Sequence, residues 1–180
     1  MTDLYWRWYS WAQLDADTLY AFLKLRSDIF VVEQNCVFPE MDGVDAQCLH
    51  LCGRDGEGRL LAYLRLLPPG VARAAHVIEG ERAEMHDGPA LGRLVVEARA
   101  RKRGYARAAI EDALRVCAFR HASLPVYLSA QQHLEHFYAA LGFTRMSQAY
   151  LEDGIWHVDM RRKPQAEPLY SSDSAPDRSD

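Results

Sequence analysis

Between residues 97 and 114 the chain reads EARARKRGYARAAIEDAL, and Arg99, Arg101, Lys102, Arg103 and Arg107 set five basic side chains within nine residues. The chain as a whole is net acidic, at −4, so this local charge calls for a reason of its own. Gly104, Ala106, Ala108 and Ala109 lie at the spacing of a first helical turn. There, unpaired backbone N–H groups and the positive end of the helix dipole make an anion site. Small side chains let a phosphate come close to the backbone, and the arginines and Lys102 add charge for a pyrophosphate and a further phosphate. The competing account is a solvated helix end whose arginines pair with Glu97, Glu111 and Asp112. Cations at a helix N-terminus oppose the dipole by roughly a few tenths of a kcal/mol each, so the cluster makes better sense if an anion arrives.

The elements that would position this loop follow from periodicity. Tyr5, Arg7, Tyr9 and Trp11 alternate with Trp6, Trp8 and Ser10 in an aromatic opening strand. Asp15 or Asp17 can cap a helix carrying Leu19, Phe22, Leu23, Leu25, Ile29 and Phe30 on helical spacing, and Pro39 and Gly43 end regularity after it. CLHLCG and LLAYLRLL, joined by RDGEGR, read as a hairpin. Residues 68 to 89 form a long connection, a length that implies function or a hidden short element. LGRLVV is a strand, and from about Ala106 the positions Ala109, Ile110, Ala113, Leu114 and Cys117 trace one helix face. PVYLSA is a strand, LEHFYAALGF a short helix closed by Gly142, and residues 144 to 162 a hairpin turning at Asp153 and Gly154. The basic loop therefore sits between a strand and a helix. The order of elements indicates a mixed α/β sheet carrying helices.

Composition narrows the function class. With 180 residues, 49% of them apolar, the chain supports one packed domain, expected over 1–163. Residues 164–180, with four acids and one base, are expected to form an acidic Pro/Ser-rich flexible tail. The body is then near neutral, unlike the broadly basic domains that bind nucleic acid, and no partner of that kind is expected. No window approaches the ~18 to 20 apolar residues of a membrane span. The aromatic N-terminus has no signal-peptide pattern. Cys36, Cys48, Cys52 and Cys117 lack CxxC spacing and are expected as buried free thiols, with the cytoplasm as the default location. His133 and His136 have no further ligand at a familiar spacing, so no metal is expected.

Arg101-Lys102-Arg103-Gly104-Tyr105-Ala106 matches (Q/R)-x-x-G-x-(G/A), and FYAALGF (137 to 143) follows at the right distance. Both resemble motifs of the GNAT N-acetyltransferase superfamily, the first its acyl-CoA pyrophosphate loop. LRSDIFVVEQNCVFPEMDGVD (25 to 45) and YLEDGIWHVDM (150 to 160) resemble more narrowly the ElaA-like branch, so the likeness spans most of residues 20 to 162. It implies a GNAT-like, mixed and largely antiparallel sheet of about six or seven strands with helices on both faces. It also implies direct acetyl transfer from acetyl-CoA, as co-substrate, to the primary amine of a small-molecule or peptide acceptor. Leu94, Val95 and Val96 would hold the pantetheine and polarise the thioester, and the amides of Lys102 to Arg107 would hold the pyrophosphate. Ala106 stands where many relatives have glycine, so its backbone must avoid positive φ.

An amine near neutral pH must lose a proton before it attacks, and the departing thiolate must gain one. Tyr138 lies where members of the superfamily often place the acid; otherwise it is a core aromatic. The base candidates, in order, are Glu33 at the end of the first helix, Glu97 at the end of the cofactor strand, and His157 in the last hairpin. As a plain carboxylate at a helix C-terminus Glu33 is disfavoured by the dipole, so its presence calls for a reason, whereas Glu97 could equally pair with Arg99 or Arg101 and a strand histidine is often structural. Asp42 and Asp45 could attract a cationic acceptor or cap local turns. Phe30, Phe38 and Phe143 could wall off or line an acyl tunnel, as a longer acyl donor would need; an acyl-CoA sensor is the other alternative. A homodimer would suit the superfamily and the aromatic-rich termini.

Overall fold

The computed structural model describes residues 4–71, 77–83 and 87–164. Nine strands form one sheet: β1 (Tyr5–Ser10), β2 (Leu49–Arg54), β3 (Leu60–Leu67), β4 (Val77–Glu79), β5 (Ala90–Val96), β6 (Val126–Gln131), β7 (Thr144–Arg145), β8 (Tyr150–Glu152) and β9 (Ile155–Arg162). Their order across the sheet is β1-β2-β3-β5-β6-β9-β8-β4, with β7 beside β9. Every pairing is antiparallel except β5–β6, whose crossover is α2 (Tyr105–Arg120). The two strands beyond the expected seven are β4, within the long connection, and the two-residue β7. Both are too short to show a period in sequence. The remainder of the connection, 72–76 and 84–86, and the tail from 165 onward lie outside the described residues.

Helices cover both faces. α1 (Ala16–Ser27) is capped by Asp15, whose carboxylate accepts the Thr18 amide at 2.6 Å, and it buries Phe22 and Leu25 against Tyr9, Cys52, Tyr63 and Val95. Ala109, Ile110, Ala113, Leu114 and Cys117 of α2 pack on the opposite face against Leu51, Leu64, Leu91, Leu128 and Val158. That is the helix face the sequence predicts. Burying such stripes supplies the main stabilising term, at about 25 cal/mol per Å² of apolar surface. The four cysteines are buried and unbridged. α1 runs on into a wider π-helical turn at Asp28–Glu33, a local irregularity that often accompanies functional sites.

Strand divergence opens the fold at one place. β5 and β6 pair only at Ala90↔Tyr127 and Leu91↔Leu128. β6 stays bonded to β9 along its whole length, while β5 follows β3 as far as Val96. The β3–β5 register jumps between Tyr63↔Val95 and Arg65↔Gly92, and Arg93 takes up the extra residue at φ 50°. From Gly92 onward, a wedge therefore separates β5 from β6.

Candidate active site

The wedge leads into two adjoining cavities. The larger, of about 590 Å³, runs along Leu94, Val95 and Val96 to the start of α2, with Phe137 and Tyr138 opposite. At that end Gly104 caps the helix at φ 83° without any side-chain cap, and the first intrahelical bond is Ala108 N–H to Gly104 O at 3.0 Å. The amides of the first turn thus point out of the helix end toward the cavity, as an anion site requires. Positive φ falls on Lys102 (62°) and Gly104, while Ala106 lies within the helix, so alanine there is unstrained.

The basic cluster divides. Arg101, Lys102 and Arg107 line the large cavity. Arg103 does not: the 3-10 turn Ala98–Ala100 carries the chain round, and Arg103 faces a separate hollow of about 290 Å³ with Arg99, Arg59 and Asp55. Carboxylates meet three of the five basic groups, Arg99 with Glu97 at 3.0 Å, Arg101 with Glu33 at 2.7 Å and Arg107 with Glu111 at 3.7 Å. The solvated-pair account is therefore partly right, with Glu33 as a partner that sequence spacing does not suggest. All three are half-exposed pairs, weak enough to yield to a phosphate.

The smaller cavity, of about 170 Å³, shares Phe30, Gln34, Leu94, Gln131, Leu134 and Tyr138 with the larger one. Its lining includes apolar Leu64, Leu91, Ile110 and Leu128 as well as polar Ser129, Glu152, Asp153 and His157, the last four from β6 and the β8–β9 hairpin. Ring contacts hold Tyr138 edge-on to Phe137 and Phe143, with centroids 5.1 and 6.2 Å away. Burial pushes its phenol up to about 12, which keeps the proton on the oxygen at neutral pH. His157 Nδ1 lies 2.8 Å from the Ile155 carbonyl, which can only accept. In the neutral ring Nδ1 then carries the hydrogen and Nε2 the lone pair.

The three base candidates fall in three different places. Glu33 is on the larger cavity, where its hydrogen bond to Arg101 holds the carboxyl below the usual carboxylate range. Glu97 lines neither cavity and pairs with Arg99. His157, ranked last from sequence, is the one that shares the smaller cavity with Leu94 and Tyr138. Of the three phenylalanines, Phe30 and Phe38 line this cavity, while Phe143 is buried in the core.

Sequence reasoning missed a buried charge cluster under the 34–45 loop. Arg26 reaches Glu40 at 2.8 Å and Asp45 at 2.7 Å, Arg65 reaches Asp42 at 2.6 Å and Asp45 at 2.9 Å, and Arg93 reaches Glu40 at 2.9 Å. Of the two readings of Asp42 and Asp45, attraction of a cationic acceptor is thereby corrected, because arginines of the fold already engage both, while Asp42 also accepts the Val44 amide of its own turn at 3.4 Å. Burial alone would raise Asp42, but Arg65 and Arg93 bring it down to about 2. Beside the cluster, His50 donates to the Asp45 carbonyl at 3.0 Å and accepts from the Tyr63 hydroxyl at 2.7 Å; burial lowers its pKa to about 4. The Arg93 guanidinium lies over Phe30 and Phe38, 5.7 and 5.5 Å from the ring centres, so the cluster also braces the smaller cavity. Its trace in sequence is Arg65 inside LLAYLRLL, a charge in a strand otherwise apolar enough for full burial.

Residues 71–164 match the family described as acetyltransferase (GNAT) domain. A UPF0039 protein of Schizosaccharomyces pombe is 39% identical over 82% of this chain and 89% of its own length. The protein ElaA of Escherichia coli is 34% identical over 84% of this chain and 92% of its own. The ElaA crystal structure superposes with a TM-score of 0.75, at 31% identity, covering 89% of this chain and 99% of that one. An acyl-CoA N-acyltransferase from Pseudomonas aeruginosa gives 0.76 at 38% identity, covering 88% and 99%.

Proposed function

The chain belongs to the GNAT acetyltransferase family, and on that footing we propose that it transfers an acetyl group from acetyl-CoA to a primary amine by direct attack on the thioester. One observation carries the reading: the anion-binding groove and the smaller cavity meet at Leu94 and Tyr138, where β5 and β6 part. Acetyl-CoA, when bound, supplies the activated acyl carbon. The α2 amides, with Arg101, Lys102 and Arg107 at the rim, hold the pyrophosphate, and Leu94 to Val96 bind the pantetheine through backbone groups that β6 leaves unclaimed, the Val96 carbonyl excepted, which accepts from Arg101 Nε at 3.0 Å. The Leu94 amide polarises the thioester carbonyl. His157 Nε2 takes the proton from the attacking nitrogen, and the Tyr138 hydroxyl protonates the sulfur as the carbon–sulfur bond breaks. Arg103 and Glu97 take no part, and Glu33 acts at the cofactor end as the partner of Arg101. Buried, unbridged cysteines support a reducing compartment, the cytoplasm.

Calorimetric titration with acetyl-CoA and with CoA tests the cofactor site. Micromolar binding by the wild-type chain, lost in Gly104→Glu, is the expected result: a carboxylate there repels phosphate, and φ 83° strains any side chain. Thiol release with a panel of primary amines then tests transfer. A folded protein that binds neither CoA species refutes the reading.

A further inference from the structure

We propose that Ser129 accepts a hydrogen bond from the attacking nitrogen and thereby selects primary amines, its hydroxyl being turned that way by Tyr150 and Asp159. The proposal rests on the acetyl-transfer reading of the same site, in which His157 takes one hydrogen of that nitrogen. Ser129 is half-buried on β6 and lines the smaller cavity. From it a chain of hydrogen bonds leads to Tyr150 and on to Asp159, both 0% exposed.

The chain runs one way. The Tyr150 hydroxyl donates to Asp159 Oδ1 at 2.7 Å, and a carboxylate oxygen only accepts. Donors face both oxygens of that carboxylate: the Ala83 amide lies 2.7 Å from Oδ2, and Arg82 Nε 4.0 Å from Oδ1. A phenol has one hydrogen, so the Tyr150 oxygen accepts from Ser129 in turn. Ser129 has no second hydrogen, so its oxygen offers the cavity lone pairs. Among the described residues no other group bonds this hydroxyl. On the β6–β9 ladder Ser129 pairs with Asp159 and Gln131 with His157, which makes Ser129 and His157 diagonal neighbours on one face of the sheet. Diagonal neighbours lie roughly 7–8 Å apart along the backbone, near enough for one nitrogen to sit between the two side chains. A primary amine whose lone pair meets the thioester carbon has two N–H bonds, one for His157 Nε2 and one for Ser129 Oγ. The first proton passes to the imidazole, and the second hydrogen stays on the amide nitrogen of the product. A secondary amine has a single N–H and leaves one of the two acceptors unmatched.

The test is steady-state thiol release by the wild-type chain, Ser129→Ala, Tyr150→Phe and the double variant, with a primary amine that the wild-type chain turns over and with its N-methyl counterpart. The wild-type chain should prefer the primary amine by at least about tenfold in kcat/KM. Ser129→Ala should lower kcat/KM for the primary amine about ten- to hundredfold and bring the preference within about threefold, with acetyl-CoA affinity by calorimetry within about twofold. Tyr150→Phe keeps the ring stacked on His157, centroids 6.0 Å apart, but lets the Ser129 hydrogen turn into the cavity. It should lower kcat/KM about three- to tenfold by itself and change nothing in the Ser129→Ala background. Thermal unfolding identifies a variant that fails to fold, and Ser129→Ala, at a half-buried position, decides without Tyr150→Phe. Ser129→Ala with wild-type kcat/KM or undiminished preference overturns the proposal, and so does Tyr150→Phe at equal cost in both backgrounds. A wild-type chain that turns over no amine refutes the acetyl-transfer reading instead.

Discussion

Tyr138 and His157 approach the same small cavity from different elements, and each carries its hydrogen where the proposed step needs it. Tyr138→Phe keeps the ring packing on Phe137 and Phe143 and removes only the proton donor. With an amine found by the thiol-release panel, its kcat should fall about a hundredfold while acetyl-CoA affinity stays within about twofold. Glu33 makes the opposite kind of prediction. Its carboxylate and the incoming pyrophosphate compete for Arg101, through an ion pair whose side chains are 44% and 40% exposed. Glu33→Gln should therefore tighten acetyl-CoA binding about two- to fivefold, the range of a surface pair worth up to about 1 kcal/mol. In an Arg101→Ala background the same substitution should change nothing, and calorimetry on the four proteins reads the cycle.

At the scale of elements, the 34–45 loop is held by charges whose balance depends on pH. His50 has an ordinary value of 6.5 and sits near 4 in the fold, so the unfolded chain binds its proton more readily. Its contribution is complete above about pH 6.5 and is lost as pH falls toward 4, at most about 3 kcal/mol. Asp42 is also lowered, from 3.8 to about 2, and its contribution is lost across that lower window. Urea unfolding between pH 8 and 4 should show stability falling mainly below about 6.5, a slope that His50→Asn should flatten. Arg65→Met leaves buried Asp42 with only the 3.4 Å contact to Arg93 and Asp45 with Arg26 alone, and should cost about 3–5 kcal/mol in the same assay.

For the molecule as a whole, every described residue lining the two cavities falls between Ile29 and His157. A chain ending at Pro164 should therefore bind acetyl-CoA within about twofold of the full chain, checked by the same titration. The sheet explains why a body of this size can hold an open wedge. β5 is secured by β3 and β6 by β9, so two strands diverge at mid-sheet without leaving either element loose. A longer β5–β6 ladder would close both cavities at once. Separation of the strands is a tertiary property, enforced by neighbours on either side.

Local chemistry was legible from sequence wherever function depends on nearby residues. Gly104, Ala106 and the face of α2 declare a helix start and its buried side, and FYAALGF sets Tyr138 one turn before a glycine C-cap. The Asp153–Gly154 turn, with φ 50° and 82°, was equally plain. What tertiary structure alone decided is which charges meet. Arg101 and Glu33 are 68 positions apart, Arg93 and Glu40 are 53, and no periodicity links them. His157 and Glu33 looked alike as bases because a side chain's pKa, access and neighbours arise from packing across the sheet. Charge pairing acts through space, over a few ångströms, whereas pattern in a sequence reports only what lies within a turn or a strand of each residue.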